Sequence, residues 1–386
     1  MRFEGYRREN GTVGVRNHVL VFPTVVCSAS VAQRISGGVP GTISVSHPHG
    51  CGHLGADREH MVRTMAGFCS NPNVAGVLLV GLGCEELTVE TLAAELESRG
   101  LRRVEALTIQ EEGGTTPAIA KGCELASRLV RAAEADRREP FDVSELVVGV
   151  KCGGSDALSG LTANPAVGAA SDLLVSEGAT VIMTEVPEMI GAEHLLERRA
   201  ADETVGTRIR EVVAGMEASI LATGVDVRGT EPSPGNMEGG LTTLEEKSLG
   251  AIVKGGTSAV AQVVRYAERP SRRGLVIMDG PALDAVSVTG MLAAGAQMVV
   301  FTTGRGSPLG AAIAPVLKVA SNSAVFGHMK DNMDLDAGEI VDPGISVGEM
   351  GDRILGELLL VAADRPTRSE CLGHHEFGVH SIGPAV

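Results

Sequence analysis

Short apolar runs rich in β-branched residues recur along this chain, and most give way to a glycine-containing turn. Most of these runs are too short for helices, so they predict buried strands. The strands are predicted over 13–26, 42–46, 77–80, 104–109, 146–150, 180–183, 275–278 and 298–302. Helical stretches are predicted between them, among others over 88–99, 203–222 and 349–362. Because strands and helices alternate, the chain is predicted to be an α/β protein with largely parallel sheets.

A charged stretch, AEADRREPFD, interrupts this rhythm and carries Pro140 but few apolar residues. The chain has 386 residues, more than the ~250–300 at which a single core stops growing. We therefore predict two domains, an N-terminal α/β domain over 1–137 and a C-terminal domain over 141–386.

Composition narrows the classes of partner. A net charge of −15 argues against nucleic acid and against an anionic membrane surface. The seven cysteines form no CxxC pair, and the N-terminus lacks the apolar core of a signal peptide. No apolar run approaches the ~18 residues that would span a bilayer. These features predict reduced thiols and a cytoplasmic protein.

Polar residues that can carry chemistry collect where predicted strands end. In LVVGVKCGGSDALSGLTANP, Cys152, Ser155, Asp156 and Ser159 come just after the strand over 146–150. In an open α/β sheet, ligands bind at the carboxyl ends of the strands. This turn is therefore the first candidate for a functional site.

Three cysteines, Cys51, Cys84 and Cys152, each follow a predicted strand within a glycine turn. One reading is that they are buried thiols that only fill space. The other is a shared site, because thiolates together with imidazole select iron or zinc. Three cysteines can also hold an iron–sulfur cluster with one iron open. His47 and His49, with Glu85, could instead complete a site for a single ion, unless the histidines serve only as hydrogen-bonding groups.

Charged side chains supply further candidates. Glu185 stands directly at a strand end, and Lys247 and Lys254 are seven residues apart in a predicted helix. Such lysines usually lie on a surface, but beside glycine turns they can bind a carboxylate or act as a base. Arg305 lies between two glycines after a strand, where it could grip a carboxylate with two hydrogen bonds.

Long blocks of this sequence resemble one known family, and the resemblance covers nearly the whole chain. The blocks include GYRRENGTVGVRN, GLGCE, KCGGSDALSGLTANPAVG, EVPEMIGAEHLLERRA, SPGNMEGGLTTLEEKSLGAIVKGG and TTGRGSPLG. They are similar to those of the altronate/galactarate dehydratases. The resemblance implies an iron- or manganese-dependent lyase that dehydrates a sugar acid to a 2-keto-3-deoxy acid. It also implies a Rossmann-like C-terminal domain.

Two other implications follow from the same resemblance. A related branch, the large subunit of sulfolactate sulfo-lyase, eliminates sulfite, so a carbon–sulfur lyase is the alternative activity. Full-length dehydratases begin with a small β-rich domain of the SAF type, whereas this sequence starts at the GYRRENG block. We therefore expect a separate small subunit to supply that domain, and we expect the chain to form a homo-oligomer, namely a dimer.

Elimination from a dihydroxy acid requires a base to remove the proton next to the carboxylate, while a metal stabilises the enediolate. Our hypothesis assigns iron (Fe²⁺, alone or in an iron–sulfur cluster), or alternatively Mn²⁺, to Cys51, Cys84 and Cys152, with His47 and Glu85 as further ligands. The expected catalytic residues are His47, Lys254, Glu185, Ser155 and Asp156. The expected substrate-binding residues are Arg305, Arg16, Asn17, Lys247 and Asn164. A sugar-acid- or metal-binding protein without turnover is the rival from another class.

Overall fold

The computed structural model describes residues 1–341, 344–384 and 386, and it confirms an α/β protein with a parallel sheet in each of two domains. The strands are β1 (Arg2–Arg7), β2 (Val13–Gly14), β3 (His18–Pro23), β4 (Thr42–Ser44), β5 (Val74–Gly81), β6 (Val104–Thr108), β7 (Arg138–Asp142), β8 (Val147–Cys152), β9 (Thr180–Met183), β10 (Val260–Val264), β11 (Gly274–Met278), β12 (Met298–Thr303), β13 (Val316–Ala320) and β14 (Leu335–Asp336). The helices are α1 (Ala29–Gly38), α2 (Gly55–Cys69), α3 (Val89–Ser98), α4 (Thr115–Ala133), α5 (Ala163–Ser176), α6 (Glu193–Glu197), α7 (Glu203–Leu221), α8 (Pro234–Glu238), α9 (Leu244–Ile252), α10 (Asp284–Ala293), α11 (Ser323–His328), α12 (Val347–Ala362) and α13 (Arg368–Cys371).

The N-terminal sheet has the order β4-β3-β5-β6, and all its strands are parallel. Helices α1 and α4 cover one face, and α2 and α3 cover the other. Every residue of β5 is buried, as expected for a strand covered on both faces. The strand order reverses between β3 and β5, so a crevice opens at their carboxyl ends.

The C-terminal sheet has seven parallel strands in the order β10-β11-β9-β8-β12-β13-β14. Helices α5, α7 and α12 pack on one face, and α10 packs on the other. Here the strand order reverses between β8 and β12. A ligand site is therefore expected beyond Cys152 and Thr303, the last residues of these two strands.

The two domains share a hydrophobic core, in which side chains of α2 and α3 meet those of α10. A Cβ atom added to Gly67 in α2 would lie 2.5 Å from the carbonyl oxygen of Ala293, so only glycine allows this close approach. Buried Asn73 joins the domains as well. Its Oδ1 accepts a hydrogen bond from Val15 N at 2.8 Å, and its Nδ2 donates to the carbonyl groups of Gln297 and Ile313.

A small antiparallel sheet, β2-β1-β7, lies outside the two parallel sheets. Strand β7 falls in the charged stretch that marked the predicted domain boundary, and it pairs with β1 from Arg2–Asp142 to Tyr6–Arg138. The first strand of the chain therefore pairs with the strand that follows the last helix of the N-terminal domain. The boundary between 137 and 141 itself stays a prediction.

Several predicted elements need correction. The strand predicted over 13–26 is two strands, β2 and β3, interrupted at residues 15–17. Strands β1, β7, β10 and β13 were missed, because they are short or carry charged residues such as the buried Lys318. The strand predicted over 180–183 is correct. Among the described residues, no helix is both long and apolar enough to cross a membrane.

Replacing Asn73 with Ala should lower the free energy of unfolding by about 2–4 kcal/mol, because buried backbone groups on both domains lose their partner. Urea denaturation followed by circular dichroism measures this loss. The control is Asn10→Ala, at an exposed position. Equal stability of the two variants would contradict the bridging role of Asn73.

Candidate active site

The crevice between β8 and β12 is formed by two strand ends that are hydrogen-bonded to each other. Gly153 N donates to Thr302 O at 3.0 Å, and the carbonyl of Gly154 accepts from the backbone N–H groups of Gly304 and Arg305. A Cβ atom on Gly153 would lie 2.7–2.8 Å from the Phe301 ring and the Asp284 carboxylate. Glycine is therefore required for this tight turn, which places Cys152 at the floor of the crevice.

Glu185 follows β9 and is fully buried. Its backbone has φ 73°, a left-handed conformation that costs a residue other than glycine about 1 kcal/mol or more. Two ammonium groups hold its side chain, because Lys151 Nζ lies 2.5 Å from Oε1 and Lys254 Nζ lies 2.8 Å from Oε2. The strain is thus maintained by two buried ion pairs.

The thiol of Cys152 is buried next to this pair. Its Sγ lies 3.2 Å from Glu188 Oε2, and Lys254 Nζ donates to it at 3.2 Å. Burial, together with Glu185 and Glu188, raises the pKa of Cys152, so the thiol keeps its proton. Burial alone would lower the pKa of Lys254, but the neighbouring Cys152, Glu185 and Glu188 raise it, so the amine stays charged.

A second ion-pair chain begins at Glu188. Lys247 Nζ lies 3.3 Å from Glu188 Oε1 and 2.7 Å from Glu231 Oε2. Burial opposes the charge of Glu188, yet Lys247 and the two other lysines outweigh it and hold its pKa at about 2. Glu188 is therefore a carboxylate at neutral pH.

Cys152, Glu185 and Glu188 offer three ligand atoms that all lie within 4.8 Å of one another, and no other such group occurs among the described residues. A metal ion would bind Cys152 as a thiolate, which suits softer ions such as iron, together with carboxylates, which suit Mn²⁺. Lys151 and Lys254 pair with the two oxygens of Glu185 at 2.5 and 2.8 Å, so an ion at this carboxylate would replace one of the ammonium groups. With that exchange, the triad is compatible with a metal ion.

A cavity of about 470 Å³ opens above this cluster. Its walls include Cys152, Ser155, Glu188, Lys247 and Arg305. The guanidinium of Arg305 is exposed and pairs with the exposed carboxylate of Glu238, at 2.9 Å. The cavity thus offers a negatively charged ligand two cations, Lys247 and Arg305, next to the carboxylates of Glu188, Glu231 and Asp284.

Two predicted site residues near the cavity have structural partners instead. Asp156 accepts hydrogen bonds from Ser159 and Ser321, both at 2.7 Å, and from Asn322 at 2.9 Å. This fastens the turn after β8 to the end of β13.

Asn164 is also fully engaged, because it accepts from Thr302 Oγ1 at 2.6 Å and donates to Gly250 O at 2.8 Å. Asp156 and Asn164 therefore position the crevice.

Arg16 and Asn17 do not lie in the cavity. Arg16 pairs with Glu370 at 2.7 Å and donates to the Val361 carbonyl, which links the N-terminal segment to the end of the C-terminal domain. Asn17 accepts from Arg8 at 2.7 Å and donates to Ala133 O at 2.8 Å. Their polar groups are occupied by these contacts rather than available to a substrate.

The three cysteines expected to share one site are divided between the domains. Cys51 and Cys84 are exposed in loops that follow β4 and β5 of the N-terminal sheet, whereas Cys152 is buried at the end of β8. The sequence places each of them after a strand but does not say which strands share a sheet. The correction is that Glu185 and Glu188 accompany Cys152.

His47 and Glu85 lie at the N-terminal sheet, and both are engaged. His47 Nε2 contacts Pro23 O at 2.7 Å, its Nδ1 accepts from His49 N, and burial lowers its pKa to about 4. Glu85 accepts hydrogen bonds from three consecutive backbone N–H groups, of Leu82, Gly83 and Cys84, and from Thr24. These contacts give both residues a part in the loop structure, and their role as metal ligands stays a prediction.

The active site predicted from the sequence did not include Lys151, Glu188 or Asp284. Lys151 is a lone lysine near the end of a buried apolar strand, and it pairs with Glu185 and with Asp284 at 2.9 Å. A buried lysine in such a strand needs a carboxylate partner, so its position was a usable signal. The spacing of Glu185 and Glu188 in EVPEM was another, because a single helical turn brings both to one side.

Two family models match the chain. The one described as D-galactarate dehydratase/altronate hydrolase, second domain, matches residues 5–134. The one described as D-galactarate/altronate dehydratase, C-terminal, matches residues 143–385.

Three curated relatives are similar over almost the whole chain. Altronate dehydratase of Bacillus subtilis (strain 168) is 37% identical, over 99% of this chain and 78% of the relative. Galactarate dehydratase (L-threo-forming) of Escherichia coli (strain K12) is 37% identical, over 100% of this chain and 77% of the relative. The (2R)-sulfolactate sulfo-lyase subunit beta of Chromohalobacter salexigens is 39% identical, over 97% of this chain and 96% of the relative. These matches confirm the resemblance seen in the sequence, and the chain belongs to the D-galactarate/altronate dehydratase family of enzymes.

Proposed function

We propose that this enzyme dehydrates a sugar acid with hydroxyl groups on the two carbons next to its carboxylate, and that the product is a 2-keto-3-deoxy acid. The observation that carries the proposal is the buried cluster of Cys152, Glu185, Glu188 and Lys254 beneath the cavity. It combines proton acceptors and proton donors a few ångströms apart. Two of the relatives carry the names of dehydratases acting on altronate and galactarate, which supports the substrate class.

Arg305 and Lys247 would bind the carboxylate of the substrate at the cavity wall. To bind the substrate, Arg305 would give up its ion pair with Glu238. This pair is exposed to solvent, and such pairs contribute little stability. Lys247 would turn from Glu188 and Glu231 towards the substrate. Once Lys247 is shared with the substrate, Glu188 loses part of the charge that holds its pKa low and becomes a stronger base.

In this mechanism Glu188 takes the proton from the carbon next to the carboxylate. Lys254, whose pKa is raised by its acidic neighbours, donates a proton to the departing hydroxide. Lys151 stays paired with Glu185 during these steps, so the buried charge of this carboxylate remains compensated. His47, an initial candidate for the base, is fully hydrogen-bonded at the other sheet and has no part in these steps.

Cys152 and Glu185 would supply this chain's ligands to the metal ion, which leaves Glu188 beside them free to act as the base, and we propose iron(II), with manganese(II) as the alternative. When bound, the ion would supply positive charge that stabilises the enediolate.

A related elimination that releases sulfite is the second candidate. The observation that favours it is the similarity to the (2R)-sulfolactate sulfo-lyase subunit beta, which is 39% identical over 97% of this chain. The same floor cluster could remove the proton next to the carboxylate, with sulfite leaving instead of hydroxide. That relative is named as a subunit, so we also propose that a small partner chain completes this enzyme. In the assembled enzyme, two copies of this chain would form a dimer, and each copy would bind one partner chain.

Purified protein should convert altronate or galactarate to a keto acid without releasing sulfite, as measured by keto-acid derivatisation and a sulfite assay. Cys152→Ser should lose at least about a hundredfold in kcat, because it replaces the thiol that would bind the metal ion and that contacts the proposed acid and base. Cys123→Ser, at a half-buried cysteine in α4, is the matched control. Sulfite release from sulfolactate without keto acid from sugar acids would favour the second candidate. Full activity of Cys152→Ser would contradict the floor cluster.

Replacing Arg305 with Ala should raise KM for the sugar acid by about ten- to a hundredfold, since it removes a charge-assisted hydrogen bond to the substrate. Steady-state kinetics measure KM and kcat separately. Arg353→Ala is a close control, because Arg353 is also about half exposed and also pairs with a single glutamate, Glu339. If both variants have the same KM, Arg305 does not bind the carboxylate.

A further inference from the structure

Three exposed cysteines lie at the carboxyl edge of the N-terminal sheet, and the dehydration mechanism uses none of them. Cys27 lies in the 3-10 turn after β3, Cys51 in the loop after β4, and Cys84 in the loop after β5. These are three neighbouring strands of one parallel sheet, in the order β4-β3-β5. Their carboxyl ends include the point where the strand order reverses, which is where such sheets bind ligands.

Backbone contacts hold the three cysteine loops together. Val26 N donates to His49 O at 2.9 Å, which joins the Cys27 turn to the Cys51 loop. Leu87 N donates to Gly50 O at 3.2 Å, which joins the Cys51 loop to the segment after Cys84. Thr24 Oγ1 donates to Glu85 Oε1 at 2.8 Å, which joins the end of β3 to the Cys84 loop.

Close packing of the loop backbones fixes the residues next to the cysteines. A Cβ atom on Gly50 would lie 2.3 Å from Thr24 O and 2.5 Å from Val25 Cα, so glycine next to Cys51 is needed for the loops to touch. Glu85 accepts from the backbone N–H of Cys84 at 3.1 Å and fixes the opposite loop. No disulfide joins any of the cysteines in the described part of the chain.

We propose that Cys27, Cys51 and Cys84 bind an iron–sulfur cluster at the carboxyl edge of the N-terminal sheet. Clustered thiolates select zinc, copper(I) or iron–sulfur clusters over harder ions. A single tetrahedral ion with metal–sulfur bonds of ~2.3 Å would bring the sulfur atoms within about 4 Å of one another. In the described residues, these three thiols do not form a group with all ligand atoms within 4.8 Å. A cluster distributes its cysteines over several irons, so it tolerates the wider spacing, and three cysteines leave one iron open to another ligand.

This proposal is independent of the dehydratase mechanism, which rests on the other sheet. The sequence-based hypothesis assigned iron to Cys51, Cys84 and Cys152, whereas the cluster proposed here has Cys27 as the third ligand in place of Cys152. The C-terminal tail lies against the same loops, because Val379 O contacts His49 Nε2 at 2.9 Å and Val386 N donates to Gly52 O at 3.1 Å.

The test is the iron and acid-labile sulfide content of anaerobically purified and reconstituted protein, together with its visible absorption. The wild-type chain should contain both elements, and Cys27→Ser, Cys51→Ser and Cys84→Ser should each lose the sulfide and the absorption. Cys371→Ser, at an exposed cysteine of α13, is the matched control and should retain both. Cys152→Ser should also retain the sulfide, which separates this site from the proposed active site.

The proposal is overturned if the wild-type protein takes up no sulfide, if it binds zinc in place of iron and sulfide, or if the three variants keep the cluster. It is also overturned if only Cys152→Ser loses the sulfide. Because a variant can fail to fold, alkylation of the wild-type chain provides a second readout. Mass spectrometry should find Cys27, Cys51 and Cys84 protected until the iron is removed, whereas Cys371 reacts throughout. Equal reaction of all four cysteines before and after iron removal would contradict the proposal.

Discussion

The buried carboxylate of Glu185 is the constraint on which the C-terminal site depends. It is fully buried in a left-handed backbone conformation, and it is held there by Lys151 and Lys254. Removing one partner of a buried ion pair typically costs about 3–5 kcal/mol, because the remaining charge is left uncompensated. The same two lysines contact Cys152 through its carbonyl and its thiol. Stability and chemistry at this sheet edge are therefore functions of the same few groups.

This arrangement is ready for proton transfer before any substrate binds. Cys152 and Glu185 lie at the ends of neighbouring strands β8 and β9, and Glu188 and Lys254 lie in buried 3-10 turns beside them, so the proposed proton transfer would need little reorganisation. The cavity wall is different, because Arg305 is exposed and Lys247 is shared between two glutamates. A rigid floor under an adaptable wall suits an enzyme whose family acts on more than one sugar acid.

The sequence predicted the α/β class and the strand-end positions of Cys152 and Glu185, because short apolar runs followed by glycine turns have few other interpretations. It could not predict which strand ends meet, since spatial order within and between sheets depends on long-range packing. Cys51 and Cys84 were therefore joined to Cys152 across two domains. The sequence also could not predict that Arg16 pairs with Glu370, because a buried arginine between domains and an arginine that binds a substrate look alike in sequence.

The most direct test of the central claim, that the floor of the C-terminal cavity performs the elimination, is kcat for sugar-acid dehydration by Glu188→Gln. This change keeps the shape of the side chain but removes the proton acceptor. The account predicts a fall of about a hundredfold or more relative to Glu339→Gln, a change at an exposed glutamate that pairs with Arg353. If Glu188→Gln and Glu339→Gln turn over at the same rate, the base lies elsewhere and the account of this site is wrong.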